Sequence, residues 1–151
     1  LYLKHETKVW FEITTLLIPD ENDSEEEIQA MTQWIMTNLG PDVPLHFTAF
    51  HPDWKMTDKA RTATAVLTRS RNIARANGLR YVYTGNVHDL EGGSTLCHEC
   101  GEVLIARDWY VLEQWHLKEQ GACEFCGASC AGLFESKPGN WGAKRLPVRI
   151  E

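Results

Sequence analysis

Two short cysteine motifs are the part of this sequence most directly suited to chemistry. Residues 97–101 (CHECG) and 123–127 (CEFCG) are both Cys-x2-Cys-Gly knuckles, with 22 residues between Cys100 and Cys123. Each knuckle holds two thiolates on a tight turn, and its glycine permits the positive φ that such a turn needs. Four thiolates form a closed tetrahedral zinc site, for which iron in a rubredoxin-like site is the alternative metal. The spacing predicts a structural, non-catalytic metal site with the ligands Cys97, Cys100, Cys123 and Cys126.

The distribution of the cysteines indicates the cellular compartment. All five lie between positions 97 and 130, and the preceding 96 residues contain none. A secreted disulfide scaffold spreads its cysteines to join distant segments, so local crowding favours a metal site in a reducing compartment. We therefore expect a cytoplasmic location. We expect Cys130 to be a small buried thiol, and His98 to face solvent rather than replace a thiolate.

The charge balance argues against a nucleic-acid partner, and the lengths of the apolar runs argue against a membrane partner. The chain carries 15 Lys and Arg against 21 Asp and Glu, a net charge of −6, and the stretch from Cys97 to Cys130 alone has six acidic and two basic residues. Phosphate binding depends on Lys and Arg, so we expect no nucleic-acid partner. No apolar run approaches the ~18–20 residues needed to cross a bilayer, so we expect no membrane partner either.

The residues before the knuckles predict a β-α-β-α-β unit. A capping box of Ser24 and Glu27 begins a helix that Gly40 ends. Short connections between such elements require a parallel sheet with right-handed crossovers, and three strands indicate a stretch of a (β/α) barrel or of a wider sheet. The predicted strands are residues 8–18, 43–50 and 79–84, and we expect the first of them to be covered on both faces. The second predicted helix spans residues 58–77. Its pattern places Arg71 off the buried face.

Polar residues follow these strands, where barrels and open parallel sheets bind their ligands. His51 lies between Phe50 and Trp54, whose aromatic rings suit a cofactor ring. The alternative is that these residues are ordinary solvated loop residues. The side chains expected to converge at this edge are His51, Asp53, Asn86, His88 and Asp89, and the first strand carries Thr14, Thr15 and Pro19 at its end.

Four longer motifs add a family resemblance. They are LIPDENDS (17–24), PLHFTAFHPDWKM (44–56), YVYTGNVH (81–88) and PGNWGAKRLPVRI (138–150). Together they resemble the C-terminal half of the AmmeMemoRadiSam system radical SAM protein, a group similar to the activating enzymes of pyruvate formate-lyase. That family also carries a Cys-x2-Cys-Gly pair of this type after its barrel.

The resemblance implies an α/β fold: the C-terminal part of a radical SAM partial (β/α)6 TIM-type barrel, followed by a small β-rich zinc ribbon. The implied domains are the partial barrel (1–94), the four-cysteine zinc ribbon (95–135) and a basic C-terminal tail (136–151). In the activating enzymes an aromatic-His pair ends one strand beside S-adenosylmethionine, and Phe50-His51 matches it. Thr14 stands where that family has an arginine facing the cofactor, and Asn86 completes the predicted cofactor-binding set.

One departure from the family concerns its iron–sulfur cluster. Radical SAM enzymes hold a [4Fe–4S] cluster with a Cys-x3-Cys-x2-Cys loop, whereas residues 123–130 have the reversed spacing within the ribbon. We therefore expect this chain to be inactive alone, to hold no catalytic residue, and to need the missing N-terminal half of the barrel as its partner. Memo-like and AMMECR-like proteins are further partners that the resemblance implies. A stand-alone zinc-ribbon adaptor is the alternative function, and the sequence names no substrate or product.

Overall fold

The computed structural model describes residues 1–135, 137–139, 142 and 144 of the chain. The chain divides into two compact units, Leu1–Gly93 and Ser94–Glu151. The predicted basic tail, residues 136–151, and the fourth resemblance motif therefore lie largely outside the described residues. In the part of the chain that is described, every helix is too short or too polar to span a bilayer.

The first unit contains a three-stranded parallel sheet in the order β1-β2-β3, which is also the order of the strands along the chain. Its first and second strands pair from Ile13 with Leu45 to Leu17 with Ala49, and the third strand adds on the other side of the second. The elements are α1 (Tyr2–Glu6), β1 (Ile13–Leu17), α2 (Glu25–Leu39), β2 (Leu45–Ala49), α3 (Thr64–Ala76), β3 (Val82–Gly85) and α4 (Leu90–Gly93).

Helix α2 begins and ends where the sequence predicts. The Glu27 backbone N–H donates to Ser24 Oγ at 3.2 Å, and glutamates occupy the first turn, where they complement the helix dipole. Gly40 follows the last turn at φ 84, and its N–H donates to the carbonyls of Ile35 and Met36. The predicted N-cap at Ser24 and the glycine stop at Gly40 are thereby confirmed, while of the two hydrogen bonds of a capping box the structure gives the one to the Ser24 side chain.

The core of this unit lies on one face of the sheet. Alternate strand residues on that face pack against both long helices, so α2 and α3 cover the same side. The shared cluster includes Leu17, Leu45, Phe47, Ala49 and Val82 from the strands, with Ile28, Ile35 and Leu39 from α2 and Leu67 and Ala74 from α3. The side chains in between form what we call the open face: Thr14, Leu16, His46, Thr48 and Tyr83, all exposed or half-buried.

The open face corrects one prediction about the first strand. The sequence predicts that residues 8–18 form a strand covered on both sides, but β1 spans only Ile13–Leu17, and its residues alternate in burial. A second correction concerns Arg71, which the helical pattern places off the buried stripe. Arg71 is buried because its Nε donates to the Val82 carbonyl and its Nη1 to Glu91, which gives the charge two partners.

Two boundaries also differ from the predictions. Residues 58–63 belong to the loop before α3 rather than to the helix, because Thr62 is held in hydrogen bonds to the strand ends. The predicted linker 87–94 contains the short helix α4. Asp89 caps it, since its Oδ1 accepts the Gly92 N–H at 3.0 Å.

The second unit is a small antiparallel sheet in the order β4-β5-β6. Its strands are Thr95–Leu96, Val103–Asp108 and Val111–Trp115, and a single 3₁₀ turn, Glu119–Gly121, follows. A hairpin with Trp109 and Tyr110 at its tip joins β5 to β6. Leu104 and Ile105 of the central strand are buried.

Candidate functional site

The four knuckle cysteines lie together in the second unit. Their sulfur atoms are all within 4.8 Å of one another, with Sγ–Sγ distances of 3.6 Å for Cys97–Cys126 and 3.8 Å for Cys100–Cys123. Four sulfurs placed ~2.3 Å from a central zinc ion at tetrahedral angles are about 3.8 Å apart. The observed spacing therefore fits one metal ion held between the two knuckles.

The backbone explains why this sequence folds into such a cluster. In each knuckle the N–H of the glycine donates to the carbonyl of the first cysteine, from Gly101 to Cys97 at 3.0 Å and from Gly127 to Cys123 at 2.9 Å. The two glycines have φ 77 and φ 81, and nothing lies within 4 Å of where a Cβ would be. Glycine is thus required for its backbone conformation rather than for space.

Three thiols of the cluster have shifted pKa values, and the shifts differ in direction. The pKa of Cys123 is lowered to about 6, because backbone N–H groups of Cys126 and Phe125 and neighbouring thiols outweigh desolvation. The pKa of Cys100 is raised to about 12: the Glu102 backbone lowers it, but desolvation and the other three thiols raise it more. The pKa of Cys126 is also raised, against the effect of the Ala128 backbone. The thiols therefore need a cation before they can be deprotonated together.

Two neighbours of the cluster differ in how well they were predicted. Cys130 is buried and lies outside the group of four, and its N–H donates to the Gly121 carbonyl. The prediction for Cys130 is confirmed. His98 does not face solvent: its side chain is 12% exposed, and its Nε2 lies 3.4 Å from Glu99 Oε1.

At the carboxyl ends of β2 and β3, Asn86 contacts the backbone directly before Phe50 and His51. Asn86 Nδ2 donates to the carbonyl of Ala49, the residue directly before Phe50, at 3.2 Å. Phe50 is buried, whereas His51 and Asn86 are exposed. Asn86 has φ 58, a left-handed conformation that asparagine tolerates better than most residues. This edge therefore presents the side chains of His51 and Asn86 to solvent.

The long loop after β2 is held closed at its base. Thr62 Oγ1 accepts the Phe50 N–H at 2.9 Å and donates to the Leu17 carbonyl, while the Thr62 N–H donates to the Phe50 carbonyl. Between these two ends, Trp54 is 81% exposed at φ 49, and Lys55 Nζ lies 4.4 Å from the centre of its ring. The loop is fixed at its base and presents an exposed tryptophan.

Neighbouring loops are joined across the same edge. Lys59 Nζ lies 2.7 Å from Glu21 Oε1, which links the loop after β2 to the loop after β1. Arg61 Nη2 donates to the Asn86 carbonyl at 2.9 Å, which links it to the loop after β3. The three loops that follow the strands thus form one connected rim.

Thr14 lies apart from this group. It is exposed on the open face, where it pairs with His46 rather than with the end of β2. His46 lies three positions before the end of β2, about 10 Å along the strand, and His51 lies beyond that end. A ligand that touches both Thr14 and His51 must extend over that distance.

The two aspartates predicted at this edge have structural partners. Asp89 Oδ2 accepts from Thr84 Oγ1 at 2.9 Å, besides its cap on α4. A Cβ on Gly92 would clash with Thr84 Oγ1 and with the Asp89 carboxylate, so the tight packing there requires glycine. Asp53 Oδ1 accepts the Trp54 N–H and stabilises the turn. His88 is exposed.

Sequence reasoning missed one polar group on the open face. His46 Nε2 lies 2.7 Å from Glu12 Oε2, and the His46 ring stacks on Tyr83 with 4.9 Å between ring centres. These residues come from three different segments of the chain, so no local pattern links them. The alternation of polar residues at 12, 14, 46 and 48 was the available signal.

The fold and the site thus define a protein with a parallel α/β unit and a four-cysteine β module. An uncharacterized protein of Methanocaldococcus jannaschii is 39% identical to this chain over 120 residues. The match covers 79% of this chain and 36% of the relative, so the chain spans about a third of the relative's length. No protein-family model matches the chain. No solved structure matches it.

Proposed function

We propose that this chain is the C-terminal part of a radical S-adenosylmethionine enzyme. Its first unit would supply late strands of the barrel, and the connected rim at their carboxyl ends would face the cofactor and substrate. Its second unit would be a zinc ribbon that serves the fold and performs no chemistry.

The observation that carries this proposal is the winding of the sheet. Strands β1, β2 and β3 lie side by side in chain order, and α2 and α3 cover the same face. Successive right-handed crossovers that all run in one direction place every helix on one side, as in a barrel. A doubly wound sheet reverses its strand order only between its two halves, so one half has this same winding, and the resemblance motifs at the strand ends are what favour the barrel. The open face would then line the interior of the barrel.

The positions of the resemblance motifs support the same proposal. The motif at 17–24 starts at the last residue of β1, the motif at 44–56 contains β2 and the following loop, and the motif at 81–88 contains β3 and the following loop. Each motif therefore covers a carboxyl strand end, where barrel enzymes place their ligand-binding residues. Phe50, His51 and Asn86 would contact the cofactor there.

The residues present fit zinc but not an iron–sulfur cluster. The sulfur spacing matches a tetrahedral four-thiolate site, and zinc is favoured over iron because such closed sites are its common structural form. A [4Fe–4S] cluster that leaves one iron open needs three further thiolates, and Cys130 is the one remaining cysteine. A cluster supplies the electron that reduces S-adenosylmethionine, so the N-terminal part of the barrel would have to provide it. This chain's own residues would orient the cofactor and line its cavity.

The test uses the longer protein that we propose contains this chain. It is purified anaerobically, reduced with dithionite, and assayed for conversion of S-adenosylmethionine to 5′-deoxyadenosine. We expect turnover in the longer protein, none in this chain alone, and at least about tenfold weaker cofactor binding in His51→Ala. His5→Ala is the matched control, because His5 lies on α1 and contacts the Asn38 carbonyl rather than the rim.

Two results would reject the proposal. One is an upstream coding sequence without a Cys-x3-Cys-x2-Cys motif. The other is a longer protein with an intact cluster that neither binds nor cleaves S-adenosylmethionine. Co-purification with Memo-like or AMMECR-like proteins would extend the proposal to the partners that the resemblance implies.

The second candidate function is a zinc-ribbon adaptor that binds other proteins. The hairpin tip favours it, since Trp109, Tyr110 and Val111 are exposed next to one another on an acidic module. Under this alternative, Trp109→Ala would abolish partner binding while S-adenosylmethionine has no effect on the chain or on the longer protein.

A further inference from the structure

The pair of Glu12 and His46 on the open face is fixed more firmly than an ordinary surface ion pair. Glu12 Oε2 accepts from His46 Nε2 at 2.7 Å, and Glu12 Oε1 accepts from Trp10 Nε1 at 3.2 Å. Both carboxylate oxygens are therefore engaged, and each has a partner on a different segment. This arrangement restrains the carboxylate before any ligand arrives.

The imidazole ring is restrained from its other side as well. Tyr83 stacks on it with an interplanar angle of 26°, and the backbone register places Thr14, His46 and Tyr83 at one level of the three strands. Neighbouring parallel strands are about 4.8 Å apart, so the three side chains at this level are neighbours on the open face. The ring is thus held in place between a carboxylate and an aromatic face.

The orientation of the ring decides which nitrogen is available. An ionised carboxylate can only accept a hydrogen bond, so Nε2 carries the proton in the pair. In the neutral ring, Nδ1 then has a lone pair and acts as an acceptor. In many binding and catalytic sites, a carboxylate orients a histidine through one ring nitrogen. The other ring nitrogen then serves as a hydrogen-bond acceptor or general base.

Folding does not account for this group. Glu12 and His46 belong to the face of the sheet opposite the core, and each keeps a substantial fraction of its side chain exposed. Ion pairs at such positions contribute little to stability. A group that is restrained, polar and separate from the core is a candidate for binding.

We propose that His46 is part of a binding site on the open face, with Nδ1 accepting a hydrogen bond from a hydroxyl or ammonium group of a small polar ligand. Glu12 and Tyr83 are positioning residues that hold the ring. The inference rests on the proposed function only in taking this ligand to be the substrate. His46 precedes the end of β2 by three residues, about 10 Å, so a small molecule can reach from the rim to this level.

The test uses NMR on the full chain labelled with ¹⁵N, at about pH 8. Ethanolamine is the probe because it carries both donor groups. Tetramethylammonium is the control because it has the same charge and no N–H or O–H donor. We expect ethanolamine to shift His46 Nδ1 and the amides of Thr14 and Tyr83 in a saturable way, and tetramethylammonium to leave them unchanged.

Variants separate binding from positioning. His46→Gln should abolish the saturable shifts of the neighbouring amides. Glu12→Ala, which removes the acceptor of the Nε2 hydrogen bond, should weaken ethanolamine binding about tenfold by releasing the ring. Tyr83→Phe keeps the stacked ring and should bind as the unmodified chain does, whereas Tyr83→Leu should bind more weakly. Unchanged amide positions in the core verify that each variant is folded.

Equal shifts from both cations, or unimpaired ethanolamine binding in His46→Gln, would overturn the inference. Neither result depends on S-adenosylmethionine or on a cluster. A chain that binds ethanolamine through His46, in a longer protein that fails to cleave S-adenosylmethionine, would reject the proposed function and keep this site.

Discussion

The two units of the chain reach a folded state by different physical means. The first buries a cluster of twelve apolar residues between one face of a sheet and two helices. In the described part of the second, the buried apolar residues other than cysteine are Leu104, Ile105 and Leu117. A core that small cannot offset the conformational entropy of ordering the chain. The first unit is therefore held by burial, whereas the described part of the second has a small core and four clustered cysteines that could hold a metal ion.

Removing one thiolate should produce the largest effect and should separate the two units. Cys100→Ser leaves three sulfur ligands, and we expect metal affinity to fall at least about a thousandfold, with loss of the β4–β6 amide pattern in NMR spectra. The amides of the first unit should remain in place. Metal content is measured by atomic absorption after gel filtration.

Cys130→Ser is the matched control, because Cys130 is buried in the same unit but lies outside the cluster of four. It should retain one metal ion per chain. Full metal loading in Cys100→Ser would show that the assigned ligand set is wrong.

The opposite experiment weakens the first unit. Phe47 is fully buried in the centre of the sheet, so Phe47→Ala should lower the free energy of unfolding by about 3–5 kcal/mol. Urea denaturation followed by circular dichroism at 222 nm reports on this unit, because both long helices belong to it. Metal content should stay unchanged.

Leu16→Ala provides the comparison for that measurement. Leu16 lies on the neighbouring strand but on the open face, where its side chain is largely exposed. Its truncation should cost less than about 1 kcal/mol. Similar losses for Phe47 and Leu16 would mean that both faces of the sheet are packed.

Lowering the pH should lower the metal affinity of the second unit. In the metal-free protein the pKa of Cys100 is raised to about 12 and that of Cys126 is also raised, so both thiols are protonated near pH 7. Zinc must displace both protons, and each displaced proton lowers the affinity about tenfold per unit fall in pH. These two protons alone should lower zinc affinity about a hundredfold from pH 8 to pH 7, so we expect a fall of at least that size.

Competition with a chromophoric chelator measures this affinity at each pH. Calorimetry in buffers of different ionisation enthalpy counts the released protons directly. An affinity independent of pH would mean that the thiols are already deprotonated without a metal. The unfolding midpoint of the α2 and α3 helices should be the same at pH 7 and pH 8, in keeping with a first unit held by burial.

Local signals in the sequence predicted some features well. Three of these features each depend on residues within a few positions of one another: the capping-box pattern at Ser24, the glycine stop at Gly40 and the pair of cysteine knuckles. Such features are set by short-range backbone geometry, which a sequence pattern reports directly. The ligand set of the candidate metal site and the β-α-β-α-β order could therefore be predicted from the sequence.

Features that depend on distant partners could not be predicted in this way. The burial of Arg71 depends on the Val82 carbonyl and on Glu91, which lie 11 and 20 positions away. The start of α3 depends on Thr62 bonding to Leu17, 45 positions earlier. The pairing of Glu12 with His46 is similar. In each case a polar group is satisfied across the fold, and periodicity within one element carries no information about it.

The bonds of Thr62 have a consequence for how this protein can vary. Thr62 joins both ends of the loop after β2 to each other, through Phe50, and to the Leu17 carbonyl of β1. These hydrogen bonds do not involve the side chains of residues 51–61. We expect changes of exposed side chains there, such as Trp54, to leave the hydrogen bonding of the strands unaltered. The protein can therefore acquire new surface chemistry at its rim while its scaffold stays constant.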